Sequence, residues 1–179
     1  MSDVRLRPGE ETDIAAIAAI YAHHVLTGTA SFETEAPTEE EMRRRLTKMV
    51  RRGYPYLVAD MAAEVAGYAY AGPYRARPAY GNTVENSVYV RPDAMGRGIG
   101  RMLLERLVAE CAARGFRQMI AVVGDSANVA SIRLHEQAGF RLVGVLRAVG
   151  WKHGRWLDTV LLQRPLGDAD GREPATAPG

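Results

Sequence analysis

Residues 83–90 read TVENSVYV. In a strand this run puts Glu85, Ser87 and Tyr89 on one face and Val84, Asn86, Val88 and Val90 on the other. A carboxylate that shares a face with a hydroxyl and a phenol can take a proton from a nucleophile. Read alone, the same run also fits a solvent-facing strand edge, and a bulge would break its parity. Shortly after it comes Gly96-Arg97-Gly98-Ile99-Gly100-Arg101, directly before a helical run. The first N–H groups of a helix have no intrahelical partner and attract anions. Gly98 and Gly100 carry no Cβ, so a bulky anion can come close. Arg97 and Arg101 add positive charge. The other reading is a turn that needs positive φ. Counting excludes two nucleotide motifs. A dinucleotide fingerprint would need glycine where Arg101 or Leu103 stands, and a P-loop would need a lysine.

Two further segments carry chemistry. NVASIRLHEQAGF, residues 128–140, holds His135, which titrates near neutrality and fits an acid, a base, or a packed helix histidine. Asn128 at its start fits a helix cap. PYRARPAY, residues 73–80, brings Arg75, Arg77 and Tyr80 close together. Guanidinium pairs bidentately with carboxylate or phosphinate. A solvated loop is the alternative.

The elements that must position these residues follow from periodicity. VRLRPG alternates and stops at Pro-Gly, which gives a first strand. Ile14, Ile17, Ile20, Tyr21 and Val25 recur at helical spacing. TGTASFETEAP is a loop, and Thr38 caps a second helix with acidic residues in its first turn. YPYLVAD and EVAGYAYAG form an antiparallel pair before the TVENSVYV strand. Ile99, Leu103, Leu107 and Cys111 repeat every four residues in a helix that Gly115 ends. FRQMIAVV is a strand, and the following helix closes at Gly139. RLVGVLRAVGW and RWLDTVLLQRPL bracket the KHG turn as a hairpin. The order predicts an α+β fold, a mixed sheet with helices rather than a regular βαβ repeat. Residues 1–166 read as one domain and 167–179 as a disordered, Pro-rich tail.

Composition narrows the function classes. The 179 residues carry a net charge of +2, too mild for a nucleic-acid protein. The single cysteine, Cys111, excludes a disulfide framework and a thiolate zinc cluster, and reads as a packing residue. Asp3, Arg5 and Arg7 interrupt any N-terminal apolar run, and no 18-residue apolar stretch occurs. A cytoplasmic protein without metal, nucleic-acid or membrane partner is expected. His23 and His24 do not share a helix face, so they read as helix-end residues rather than a metal pair. Trp151 and Trp156 flank the hairpin turn, which packing or a subunit contact explains.

The glycine run together with NVASIRLHEQAGF resembles the GNAT family of N-acetyltransferases. That family's Q/R-x-x-G-x-G/A pattern falls on Met95-Gly96-Arg97-Gly98-Ile99-Gly100, with Met95 in place of the usual polar residue. SFETEAP, YRARPAY, TVENSVYV, SIRLHEQAGF and KHGRW, in that order, resemble the branch that acetylates phosphinothricin and methionine sulfoximine. The likeness spans about Val4 to Leu166. It implies the GNAT fold, a mostly antiparallel twisted sheet flanked by helices, with acetyl-coenzyme A as co-substrate and a homodimer. It implies Glu85 as base for direct attack on the thioester, and His135 where many relatives carry tyrosine. Val88, Tyr89 and Val90 would meet the pantetheine arm and acetyl carbonyl. Gly96 to Arg101 would hold the pyrophosphate, and Asn128 and Ser131 the pantetheine. The acceptor would be a small amino-acid analogue lying among Phe32, Arg75, Arg77, Tyr80, Ser87 and Tyr89. A peptide or protein N-acetyltransferase and a coenzyme A-binding sensor without turnover are the alternatives.

Overall fold

The computed structural model describes residues 4–174. A seven-stranded sheet runs β1-β2-β3-β4-β5-β7-β6. Its strands are β1 (Val4–Pro8), β2 (Tyr56–Met61), β3 (Glu64–Pro73), β4 (Thr83–Val90), β5 (Gln118–Gly124), β6 (Arg141–Lys152) and β7 (Arg155–Pro165). The helices are α1 (Ile14–Thr27), α2 (Glu39–Arg51), α3 (Ile99–Ala113) and α4 (Val129–Gln137). All neighbouring strands pair antiparallel except β4 and β5, which α3 connects in parallel.

Strand parity builds two cores. Tyr56, Val58 and Tyr68 pack with Ile14, Ile17, Val25, Met42 and Leu46 under α1 and α2. Leu57, Ala59 and Ala69 face the opposite way, onto Ile99, Leu103, Leu104 and Leu107 of α3. The i, i+4 spacing of α3 makes that apolar stripe. Cys111 ends the stripe fully buried, and burial pushes its thiol up to about 12, so it is a packing residue without nucleophilic character.

Caps and turns fix the ends. Thr38 Oγ1 accepts the Glu41 amide at 3.2 Å and starts α2. Gly115 and Gly139, both at positive φ, terminate α3 and α4. Below α1, Arg7 joins β1 to the helix entry and to β2. It donates to both Asp13 oxygens at 2.8 Å and to Asp60 at 2.7 and 3.1 Å.

One irregularity shapes the molecule. β4 and β5 pair only over Thr83–Asn86 against Gln118–Ala121. Beyond that β4 runs on to Val90 and β5 to Gly124 without touching each other, while β4 stays paired to β3 in regular register up to Val90. Residues 167–174 continue as turns, with Arg117 3.7 Å from Asp168. Of the segment expected as a tail, 175–179 lies outside the described residues.

Candidate active site

The divergence of β4 and β5 opens a cavity of about 330 Å³. Glu85 to Tyr89 of β4 form one wall and Val122 to Gly124 of β5 the other. Asn128, Ser131 and His135 of α4 close one side, and Tyr21, Ser31, Phe32 and Tyr70 the opposite side.

Because β4 carries no bulge, its parity holds. Tyr89 turns to α1, with its ring edge-on to Tyr21 at 5.1 Å and tilted against His24 at 5.4 Å. Glu85 and Ser87 share that face. Glu85 is half-buried and has neither a hydrogen bond nor an ion pair among the described residues. Burial alone raises its pKa above the usual glutamate value, which suits a group that must hold a proton and release it.

The opposite face carries Asn86 among the valines. Its Nδ2 donates to the Ile120 carbonyl at 3.3 Å, and its Oδ1 lies 3.0 Å from His135 Nε2. His135 is buried and donates through Nδ1 to the Ser131 carbonyl at 2.8 Å. Burial pushes its pKa down, while the Ser131 carbonyl pulls it up. His135 and Glu85 therefore reach the cavity from opposite faces of β4 and are not hydrogen-bonded to each other. Asn128 caps α4, its side chain accepting the Ser131 amide at 3.2 Å, and also lines the cavity.

The glycine run lies at the far end of β4. Gly96 and Gly98 stand at φ +74° and +81°, so the backbone turn demands glycine at both. Gly98 is the N-cap of α3, and the first helical bond runs from the Met102 amide to the Gly98 carbonyl at 3.0 Å. The amides of Ile99, Gly100 and Arg101 are thus left without helical acceptors. A Cβ at Gly100 would sit 3.5 Å from both Val90 and Leu134, which puts this helix end between β4 and α4. Arg97 is exposed without a carboxylate partner among the described residues, and Arg101 pairs with Glu105 at 2.7 Å. The same six residues therefore combine a glycine-dependent turn with free helix-start amides. An extended ligand would find an unpaired strand edge along Ser87–Val90 and, at its end, a helix N-terminus suited to a diphosphate. That is the shape of a pantetheine arm ending in a pyrophosphate. Val88 and Val90 pack against the α3 core, leaving their backbone rather than their side chains for such a ligand.

Arg75, Arg77 and Tyr80 do not line the cavity. They are exposed, in the loop before β4, with Arg75 over the Tyr74 ring at 5.1 Å. Tyr74 and Tyr80 cover a shallow depression beside Thr83, Ile120 and Leu161, on the same sheet face as Glu85. His24 also differs from a charged helix-end residue. It is half-buried, donates to the Val90 carbonyl at 2.9 Å, and burial lowers its pKa, so it is held neutral. Trp151 and Trp156 pack on each other at 5.2 Å across the hairpin and remain exposed.

Periodicity hid several lining residues. Tyr21 read as a core position, and Ser31, Tyr70, Gly124 and Thr159 carried no sequence signal. Asn86 did carry one, since it is the single polar residue on a face of valines.

Four likenesses bear on this site. Residues 6–161 match the family model described as an acetyltransferase (GNAT) domain. A phosphinothricin N-acetyltransferase of Alcaligenes faecalis is 54% identical over 169 residues, covering 94% of this chain and 86% of that protein. An L-methionine sulfoximine/L-methionine sulfone acetyltransferase of Pseudomonas aeruginosa is 40% identical over 163 residues, covering 90% of this chain and 94% of that protein. Among solved structures, a GNAT superfamily phosphinothricin acetyltransferase from Sinorhizobium meliloti, in complex with AcCoA, superimposes with a TM-score of 0.94. It is 47% identical, and the match covers 98% of this chain and 94% of that one.

Proposed function

Since this chain belongs to the GNAT acetyltransferase family, we propose that it moves an acetyl group from acetyl-coenzyme A to the α-amine of a small amino-acid analogue. The acceptor class is that of phosphinothricin and methionine sulfoximine, an amino acid with a second anionic or polar head. One observation carries the assignment of the base. Glu85 is a half-buried carboxylate without a partner among the described residues, and it faces the same cavity as the unpaired edge of β4.

The pantetheine arm lies along Ser87–Val90, with Asn128 and Ser131 opposite. Its diphosphate meets the amides of Ile99, Gly100 and Arg101 and the charge of Arg97. Backbone N–H groups of Val88 and Val90, which point away from β3 into the open edge, polarise the acetyl carbonyl. The acceptor ammonium gives a proton to Glu85 directly or through one water. The amine then attacks the thioester carbon, the C–S bond breaks, and the thiolate leaves with a proton. His135, which lines the cavity, is the candidate donor of that proton through Nε2, once its contact with Asn86 Oδ1 opens. No acyl-enzyme forms, since Cys111 is buried on the core face of α3, away from the cavity. Phe32, Ser87 and Tyr89 wall the acceptor. The exposed apolar run Leu142, Val143, Leu146, Val149 and Trp151 along β6, joined by Trp156 of β7, supports a homodimer through that edge.

Thiol release from acetyl-coenzyme A tests the reading against phosphinothricin, methionine sulfoximine, plain amino acids and peptides. Release with the two analogues is expected. Coenzyme A binding without release for any amine would refute the enzyme, and release with peptides alone would refute the small acceptor.

A further inference from the structure

Phe32 sits in the loop between α1 and α2, and this loop is held by a strand three places away in the sheet. Lys152, at the end of β6, is only 4% exposed and donates to the Ser31 carbonyl at 2.7 Å. In the hairpin turn, His153 Nε2 donates to the Gly28 carbonyl at 3.2 Å. From α1, the Tyr21 hydroxyl bonds Ser31 Oγ at 2.9 Å. The loop backbone is thereby fixed on both sides of the cavity mouth.

The ring of Phe32 is fixed by absence of atoms. A Cβ on Gly150 of β6 would lie 2.7 Å from its Cδ2, 3.0 Å from its Cζ and closer still to Cε2. A Cβ on Gly124 of β5 would lie 2.9 Å from its Cε1 and would also strike the Thr29 carbonyl. Neither glycine has positive φ, so the backbone does not require glycine at either position. The ring requires it. One edge of Phe32 is seated on β5 and the other on β6, and the residue, 38% exposed, lines the cavity that holds Glu85.

We propose that Gly150 is a specificity-determining residue for the acceptor: the slot it leaves sets how far Phe32 stands into the cavity, and so the size of amine that reaches Glu85. The proposal rests on the acceptor reading above. No residue of β6 lines the cavity, so the effect passes entirely through Phe32. Gly150 is a cleaner probe than Gly124, because the three atoms nearest a methyl group there all belong to the Phe32 ring, whereas at Gly124 the nearest is the Thr29 backbone carbonyl.

Gly150→Ala supplies the test. Carbon contacts settle near 3.5–4.0 Å, so the ring must move by about 1.5 Å, and the open direction is the cavity. The acceptor KM is expected to rise roughly tenfold or more, the discrimination a single methylene exerts in an apolar pocket. The rise should grow with the size of the acceptor head, while the KM for acetyl-coenzyme A stays unchanged. Adding Phe32→Leu should bring the acceptor KM back toward wild type. Wild-type thiol release with an acceptor KM unmoved in Gly150→Ala would overturn the proposal alone, whereas no release from the wild type would overturn the acceptor reading. If Gly150→Ala does not fold, a folded and active Gly150→Ala/Phe32→Leu chain supports the ring conflict. A double variant that also fails to fold refutes it.

Discussion

His135 Nε2 lies 3.0 Å from Asn86 Oδ1, and this pairs two hydrogen-bond demands that a neutral imidazole cannot meet together. Its Nδ1 already donates to the Ser131 carbonyl, which only accepts. The Asn86 amide is oriented by its Nδ2 bond to the Ile120 carbonyl. Either the ring carries both protons, against the burial that disfavours its charge, or the amide turns and loses Ile120. The histidine is thus poised between the Ser131 carbonyl of its own helix and the Asn86 amide of β4.

Asn86→Asp should therefore raise the pKa of His135, seen as an upward shift of its imidazole titration by NMR, with the dependent limb of the turnover profile moving the same way. Asn86→Leu leaves Nε2 buried without a partner and should lower stability by about 1–3 kcal/mol. An imidazole titration unchanged in Asn86→Asp would contradict the contact.

Glu85→Gln is expected to reduce turnover at neutral pH by roughly a hundredfold, the lower range of general-base catalysis, with acetyl-coenzyme A affinity kept. The acid limb of the wild-type profile should lie above the ordinary glutamate range and vanish in the variant. Stability should move the opposite way. A carboxyl whose folded pKa is raised stabilises the fold below its unfolded value and loses that contribution as pH rises through the folded pKa. Glu85→Gln should accordingly raise Tm at pH 8, at roughly 2–4 °C per kcal/mol for a chain of this size, and show no gain at pH 4.

The glycine run separates turn from cradle by two substitutions. Gly98→Ala forces a side chain into φ +81° and should cost roughly 1–2 kcal/mol in a thermal melt, with weaker coenzyme A binding. Gly100→Ala meets only ordinary contacts with Val90 and Leu134, so its melt should stay near wild type. A fall in coenzyme A affinity for Gly100→Ala by calorimetry then reports close approach of the ligand. Unchanged affinity would leave that glycine to packing alone.

His24 and His135 are both held below the ordinary histidine value by burial. Their neutral forms favour the fold, so this contribution is complete above pH about 6.5 and is lost as pH falls through the lowered folded values. Thermal melts from pH 8 to pH 5 should fall, and His24→Gln, which keeps a donor for the Val90 carbonyl, should flatten that fall. An identical slope in the variant would remove His24 from the explanation.

Much of this was legible locally. Period-2 alternation placed Glu85, Ser87 and Tyr89 together, and the structure keeps them so because β4 has no bulge. Helical spacing gave the buried stripe of α3, and Thr38, Gly115 and Gly139 marked the helix ends. Pairing order was not legible, because nothing local to Arg155–Pro165 says that it enters between β5 and β6. Arg75 and Arg77 were grouped with the acceptor by proximity in sequence, yet the loop that carries them lies outside the cavity. Gly124 and Gly150 were silent because their meaning lies in a ring more than ninety residues earlier in the chain.

The divergence beyond Asn86 gives the sheet a third edge, an interior one. An outer edge with unpaired amides invites any extended chain to add a strand, which is how sheets aggregate. This edge is sunk between α4 and the loop of Phe32, so a polypeptide strand with bulky side chains has no room to lie against it. A slender amide-bearing arm does. The molecule thus keeps an unfinished sheet in solution without the hazard of one, and chooses its last strand by thickness.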